Sequence, residues 1–511
     1  MSHREKMDTL TSKFGGVSER TIRRWWKEGL NLSESFSHLP YQLQKAKERT
    51  IDNDTDILLV TAAQNKTGVN TNFLKNLEAY RDFLTSKGKK AQIVIAPSKY
   101  RNPTSATEFN LKDKSEQWWR DELQPYLHYG KIQFGDTLIS SDSRVRPTAK
   151  NPLTGYEVLA KDNHLIIPHS RIHFQTLPRF KNKPLRTMST TGFITYKNYS
   201  DSKVGDIAFE NHSAGFVTIE KRADGTCFIP RNVKVNTQGE FTDLIFDVKF
   251  EKVNIIDSSK GIVLGDLHSA NIKNEVFNET TRLLDYFKPK KLVAHDIMDG
   301  TSVNPHERKD FFIQRRNIVE GKDAIEDEIE HTFDIIDILR KKVPEIHVII
   351  SNHDLFLDRH INDMNWRSDL RNSPAYLKYA YIYQTVDLRK YGSIYGYLLK
   401  ERFGDDVNYV NYEESLDIGG YECGDHTDHG VNGARGSVNT FSKLNMKLIG
   451  AHGHSPIIKD GFSRVGVTCD KDQYYTRKGL SSWAYAHNII HNNNKNQMLV
   501  FTDDYRLTDL F

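Results

Sequence analysis

Side chains able to hold a divalent cation recur at the ends of four short apolar runs in the second half of this chain. Gly261-Ile262-Val263-Leu264-Gly265 leads into Asp266-Leu267-His268. Lys291-Leu292-Val293-Ala294 leads into His295-Asp296-Ile297-Met298-Asp299-Gly300, and Ile346-His347-Val348-Ile349-Ile350 into Ser351-Asn352-His353-Asp354. Lys447-Leu448-Ile449-Gly450 leads into Ala451-His452-Gly453-His454-Ser455-Pro456. Carboxylate, imidazole and amide donors in this mixture suit Mn²⁺, Fe or Zn²⁺, and no cysteine accompanies them as a closed structural zinc site would require.

The elements that must position these groups follow from the runs themselves. Four or five consecutive apolar residues fit a buried strand, and sites in α/β sheets gather beyond the carboxyl ends of strands. Between the runs, Glu275–Phe287 and Ala324–Lys342 carry apolar residues at helical spacing, the latter at Ile325, Ile329, Phe333, Ile336 and Leu339. Strands alternating with amphipathic helices predict an α/β domain over 256–511. Residues 355–420, rich in Tyr and Arg, read as an insertion that caps the site or contacts substrate.

The 511 residues allow two to four domains. No run of about 18 apolar residues predicts a membrane span, and the N-terminus lacks a signal-peptide core, so a cytoplasmic location, that of a host cell if phage-encoded, is expected. Cys227, Cys423 and Cys469 form no C-x-x-C pair and read as reduced thiols. The net charge is +4, but residues 1–50 alone hold ten Lys and Arg against six Asp and Glu, a surplus as large as that of the whole chain. Such a local surplus attracts polyanions.

Within 1–50, Gly15-Gly16 is followed by Ser18, a good N-cap, and by Ile22, Trp25 and Trp26 on one helical face. Arg20, Arg23, Arg24 and Lys27 fall largely on the other side, and the stretch resembles a helix-turn-helix with DNA as its partner. In 51–255, Thr55–Ala62, Asn72–Ser86 and Ala91–Ala96 predict a βαβ unit, and alternating short segments after 130 predict β-rich structure, together an α/β and β-rich accessory domain. Arg171–Arg186 interleaves Arg171, Arg179, Lys181, Lys183 and Arg186 with Phe174 and Phe180, a composition that suits a phosphate backbone and stacked bases. No internal repeat is visible.

The ordered set Gly-Asp-x-His, Asp-x-x-Asp-Gly, Asn-His-Asp and His-Gly-His-x-Pro resembles the calcineurin-like metallophosphoesterase superfamily over roughly residues 255–505. That resemblance implies a four-layer α/β sandwich holding two divalent ions, Mn²⁺ foremost with Mg²⁺, Fe or Zn²⁺ as alternatives, and a metal-activated hydroxide as nucleophile. By position it assigns Asp266, His268, Asp296 and His454 to the first ion. Asp296 then bridges to a second ion held also by Asn352, His452 and one further histidine. His426 fits that last place, with His429 as the alternative, and Arg435 in the glycine-rich loop that follows could hold a phosphate oxygen. His353 resembles the family's leaving-group histidine, with Asp354 to orient it. His295 and Ser351 stand where the family usually has Gly, and the arginine that usually follows the second motif is missing.

Two activities remain open at this point. A metal-dependent DNA nuclease, akin to repair exonucleases and phage DNA-degrading enzymes of the superfamily, accounts for the basic N-terminus. The choice between exonuclease and endonuclease stays open, and a homo-oligomer or an accessory partner is compatible with it. A phosphatase or small-molecule phosphodiesterase with a regulatory N-terminal half shares every ligand. A DNA-binding scaffold with a relic metal site is a third, weaker expectation.

Overall fold

The computed structural model describes residues 51–100, 119–180, 182–444, 446–473, 476 and 478–510. The expected helix-turn-helix, with Arg20, Arg23, Arg24 and Lys27, lies outside these residues. The chain forms two compact units, one running to Leu177 and from Arg186 to Ile256, the other made of Pro178–Leu185 and Asp257 onward.

In the N-terminal unit β1 (Ile57–Gln64), α1 (Thr71–Ser86) and β2 (Ala91–Ser98) make the expected βαβ turn, with Asn70 capping α1 through a bond from Phe73 N. Further strands follow as β3 (Lys131–Phe134), β4 (Thr137–Ser140), β5 (His164–Ile167), β6 (Phe174–Thr176), β7 (Thr187–Thr190), β8 (Gly215–Glu220) and β9 (Arg231–Lys234). One sheet has the order β2-β1-β8-β9; the strands of a second run β3-β4-β5-β7-β6. Successive side chains of a strand point to opposite faces. Ile57 and Leu59 therefore pack with Phe73 and Leu77 of α1, while Leu58 and Val60 meet Ile132, Phe134, Ile139 and Ile166 between the sheets. A hairpin sheet, β10 (Phe241–Asp243), β11 (Phe246–Lys249) and β12 (Lys252–Ile255), closes the unit.

The segment read as a basic and aromatic strip is mostly structural. Arg171 and Phe174 are buried, Arg186 bonds Asp136 and the Asp162 carbonyl, and Arg179 donates to the carbonyls of Lys183, Ser481 and Trp483. Phe180 remains open to solvent.

In the C-terminal unit β13 (Ser259–Val263), β14 (Pro289–His295), β15 (Glu345–Ile349) and β16 (Asn408–Val410) are parallel, and β22 (Tyr485–Ile490) and β23 (Asn496–Phe501) add antiparallel strands beside β13. A second set runs β17 (Asp417–Ile418), β18 (Tyr421–Glu422), β19 (Leu448–Gly450), β21 (Phe462–Arg464) and β20 (Ile457–Lys459). Val263, Val293 and Ile349 point toward Ile418, Tyr421 and Ile449, forming a core between the sheets. Ile262, Leu292, Ala294 and Val348 point the other way, into α2 (Asn274–Phe287) and α3 (Ile325–Arg340). The short helix Val438–Phe441 covers the far face of the second sheet through Phe441, Leu448 and Phe462. The unit is thus a layered mixed α/β structure. Residues 355–420 do not stand apart as a cap: Phe356, Leu357, Tyr376, Tyr395 and Leu399 belong to the main core, and β16 extends the sheet. Among the described residues no helix is long and apolar enough to cross a membrane.

Candidate metal centre

Each motif leaves its strand into a loop that is locked before it reaches the site. Beyond β13 the chain zips onto the end of β14 through Leu264 N to Val293 O (2.9 Å), Leu267 N to His295 O (3.2 Å) and His268 N to Asp296 O (2.7 Å). Asp266 is fastened on its other side, its N donating to Gly466 O (3.0 Å) and its O accepting from Thr468 N (2.8 Å). A Cβ on Gly265 would lie 2.8 Å from Ala486 O and from Gly466 C, so this close approach admits only glycine. His268, Asp296, His452 and His454 all have φ between 45° and 66°. That left-handed region is costly for residues with a Cβ, and non-glycine outliers of this kind gather at functional sites.

The result is three overlapping clusters, one of them made of His268, Asp299 and His353 and the other two meeting at Asp296. Ligand atoms of Asp266, His268, Asp296 and His454 lie within 4.8 Å of one another, and so do those of Asp296, His426 and His452. Asp296 belongs to both. His454 Nε2 is 2.9 Å from Asp266 Oδ2, and His426 Nε2 is 3.1 Å from Asp296 Oδ2. Asp266 Oδ1, Asp296 Oδ1 and Asn352 Oδ1 are buried without a hydrogen-bond partner. Buried oxygen acceptors left in that state are costly, and a divalent cation in the clusters would satisfy those of Asp266 and Asp296. The donor set is oxygen and imidazole nitrogen, as Mn²⁺, Fe, Zn²⁺ or Mg²⁺ accept. His429, the alternative to His426, is 46% exposed and pairs with Asp428, and it is not among the clustered ligand atoms. Arg435 is exposed on the loop beside His429.

Electrostatics divide the four histidines of the two clusters that meet at Asp296: burial holds His452 down at about 4 and lowers His454, whereas the other two are raised. Burial pulls the His268 and His426 pKa values down, but Asp299, Asp296 and Asp266 more than offset it. His268 rises to about 9, and His426, beside Asp296, to about 10. Buried carboxylates thus hold positive charge on these rings, and a bound cation would take the place of those protons.

His353 lies at the start of α4 (Asp354–Asn362) with Nδ1 2.7 Å from the Asp299 carbonyl oxygen. A carbonyl only accepts, so Nδ1 carries the hydrogen and Nε2 is left for chemistry. The carboxylate beside this ring is Asp299, with Oδ1 3.6 Å from Nδ1. Asp354, expected to orient His353, instead accepts from Ser351 N (3.1 Å) and Tyr409 OH (3.0 Å). Burial and the charge of Asp296 push the Asp354 pKa up to about 8. Its place as the first residue of α4 explains the difference: the side chain folds back to close its own turn.

Sequence reasoning placed Asp299 in the second motif without giving it a role, and did not single out His487 or Arg464. Asp299 touches His268 as well, with Oδ1 3.3 Å from His268 Nδ1. His487 Nδ1 accepts from Gly265 N (3.0 Å), and its Nε2 lies 2.9 Å from Thr280 Oγ1, which supports the Asp266 loop from behind. Arg464 donates twice to Ser455 O, each at 3.0 Å, and pins the His452–His454 turn. Asp299 carried a signal, since it lies three residues past Asp296; the other two sit in ordinary strand sequence.

No family model and no solved structure matches the chain. It is similar to Protein A1 of Escherichia phage T5, 27% identical over an alignment of 466 positions that covers 87% of this chain and 81% of that protein.

Proposed function

We propose that the C-terminal unit is a dinuclear phosphodiesterase of the calcineurin-like metallophosphoesterase type, and that the chain is a DNA nuclease. The observation that carries the reading is the sharing of buried Asp296 by two ligand clusters. One ion would rest on Asp266, His268, Asp296 and His454; the other on Asp296, Asn352, His426 and His452. Mn²⁺ is the first choice. Such a pair of ions, when bound, supplies a nucleophile at neutral pH and offsets the charge that builds on phosphorus.

The chain's own residues do the rest. His353 is held by Asp299 through Nδ1, which leaves Nε2 as the atom to carry a proton to the leaving oxygen, a step that a phosphodiester between nucleotides requires because that leaving group is poor. Asp299 fixes both His268 and His353. The preference for DNA comes from the basic surplus in residues 1–50, and the similarity to a phage protein suits action in a host cytoplasm.

The test is incubation with Mn²⁺ and either linear plasmid DNA or p-nitrophenyl phosphate esters. Degradation of the DNA is expected. Ester hydrolysis with the DNA left intact would replace the nuclease by a phosphatase or small phosphodiesterase, and inertness toward both would remove the enzyme.

A further inference from the structure

The two units share one strand plan. In the N-terminal unit β1 and β2 are parallel and joined by α1, and β8 and β9 run antiparallel on the other side of β1. In the C-terminal unit β13 and β14 are parallel and joined by α2, and β22 and β23 run antiparallel on the other side of β13. The second sheets agree strand for strand. β3/β4 and β17/β18 are antiparallel, β4/β5 and β18/β19 parallel, β5/β7 and β19/β21 parallel, and β6/β7 and β20/β21 antiparallel. Among the described residues, β15 and β16 have no counterpart in the N-terminal unit.

The agreement extends to single hydrogen bonds, which fix the equivalent residues. Thr468 N donates to Asp266 O at 2.8 Å, and Ile194 N to Ala62 O at 2.8 Å. Val467 N donates to Ala484 O at 3.0 Å, and Phe193 N to Ser213 O at 3.0 Å. Isolated bridges link Asp266 to Val467 and Val467 to Tyr485, as others link Ala62 to Phe193 and Phe193 to Ala214. Ala62 therefore stands where Asp266 stands, and Gln64, two residues on, where His268 stands. Ala96, paired with Ala62, takes the place of Asp296, and Ala62, Ala96 and Phe193 form a small apolar cluster there. In the second sheet Leu165, Ile166 and Ile167 pair with Met188, Ser189 and Thr190 as Leu448, Ile449 and Gly450 pair with Phe462, Ser463 and Arg464. Counting on from Ile167, His169 answers to His452. Counting back from Phe174, which pairs with Ser189 as Ile458 pairs with Ser463, Ser170 answers to His454. The bonds from Ser213 N to Ser170 O and from Ala484 N to His454 O give the same match.

We propose that the N-terminal unit is a second copy of the metal-binding sandwich that has lost its ions. Alanines replace both carboxylates, Gln64 replaces one imidazole, and the buried Ser170, which can hold no ion as a histidine would, replaces another. Among the described residues no strand beside β2 brings an Asn-His pair. All three carboxylate and imidazole clusters found among the described residues belong to the C-terminal unit. The chain then holds two ions rather than four, works at one centre, and keeps the first sandwich as a non-hydrolytic copy.

This rests on the metal reading of the C-terminal unit, and a count of Mn²⁺ per full-length chain by mass spectrometry after gel filtration separates the two. Wild type should carry two ions, and a D266A/D296A/H454A chain none. A wild-type chain without Mn²⁺ would remove the metal reading itself, and the inference with it; a stripped chain that still holds stoichiometric Mn²⁺ would overturn the inference alone. Adding A62D, Q64H, A96D and S170H to the stripped chain should restore one ion. A folded variant, shown by its thermal melt, that gains none would overturn the position-for-position equivalence. Should that variant not fold, the count on the stripped chain decides.

Discussion

Asp299 Oδ1 lies 3.3 Å from Nδ1 of His268, the ring nitrogen turned away from the ligand cluster. Its contact with His353 Nδ1, at 3.6 Å, makes one carboxylate the support of two imidazoles with different tasks. A carboxylate behind a ligand histidine fixes its tautomer and raises its basicity, and losing it costs about 10–100-fold in metal affinity or activity. Asp299→Asn should therefore weaken Mn²⁺ binding by about that factor in a calorimetric titration. An unchanged dissociation constant would mean that His268 needs no such support.

Because Asp296 is shared, its loss should differ in kind from loss of a ligand confined to one cluster. Asp296→Ala should strip both ions from the protein, whereas His452→Ala should spare the one resting on Asp266, His268 and His454. Counting Mn²⁺ per chain checks this. Equal retention in the two variants would remove the bridging role.

His353 is placed to transfer a proton, so its effect should fall on rate rather than on metal content. His353→Ala should slow ester hydrolysis by about 10²–10⁴-fold, the usual range for a positioned acid, with two Mn²⁺ still bound. Hydrolysis at the wild-type rate would discard the leaving-group role.

The four motifs and the strands under them were legible in sequence because they are local: an apolar run fixes the strand, and the ligand follows within a few residues. His426, which lies 3.1 Å from Asp296 across 130 positions, was readable only together with its alternative His429. Asp354 was misread because adjacency to His353 suggested contact, whereas helix initiation turns it toward Ser351 and Tyr409. Basic residues in 171–186 read as an open strip because composition does not reveal burial, and Arg171 is inside. The shared plan of the two units was invisible for a further reason. Strand order and direction survive replacement of nearly every side chain, so a copy whose Asp266 has become Ala62 leaves no motif to find.

Arg464 tests how far the His452–His454 turn depends on one cation. Two bonds from a guanidinium to the Ser455 carbonyl hold a loop in which both histidines have positive φ. Hydrogen bonds to charged groups contribute about 1.5–3 kcal/mol. Arg464→Met keeps the bulk but not the bonds, and should lower stability to urea by about that amount and weaken Mn²⁺ binding with it. A variant as stable as wild type with full Mn²⁺ affinity would show that the turn holds itself.

Glu328 on α3 supplies the pH dependence. Its Oε1 accepts from Thr301 N at 2.9 Å, closing the loop that carries Asp299. Burial, helped by the charge of Asp299, raises its pKa from 4.5 to about 7 against the pull of the Gly300, Thr301 and Ser302 amides. A carboxyl whose folded pKa lies above its unfolded value binds more protons folded than unfolded. Its contribution to stability is thus fully present below about pH 4.5 and is lost as pH rises through 7. A shift of this size corresponds to on the order of 3 kcal/mol. Glu328→Gln keeps a neutral acceptor for Thr301 N and cannot ionise, so its unfolding free energy should lack this fall. Measured by urea denaturation in chelator, wild type should lose stability relative to the variant between pH 4.5 and 7 and show little further change above pH 8. A constant difference across that window would mean that Glu328 ionises as freely in the folded chain as in the unfolded one.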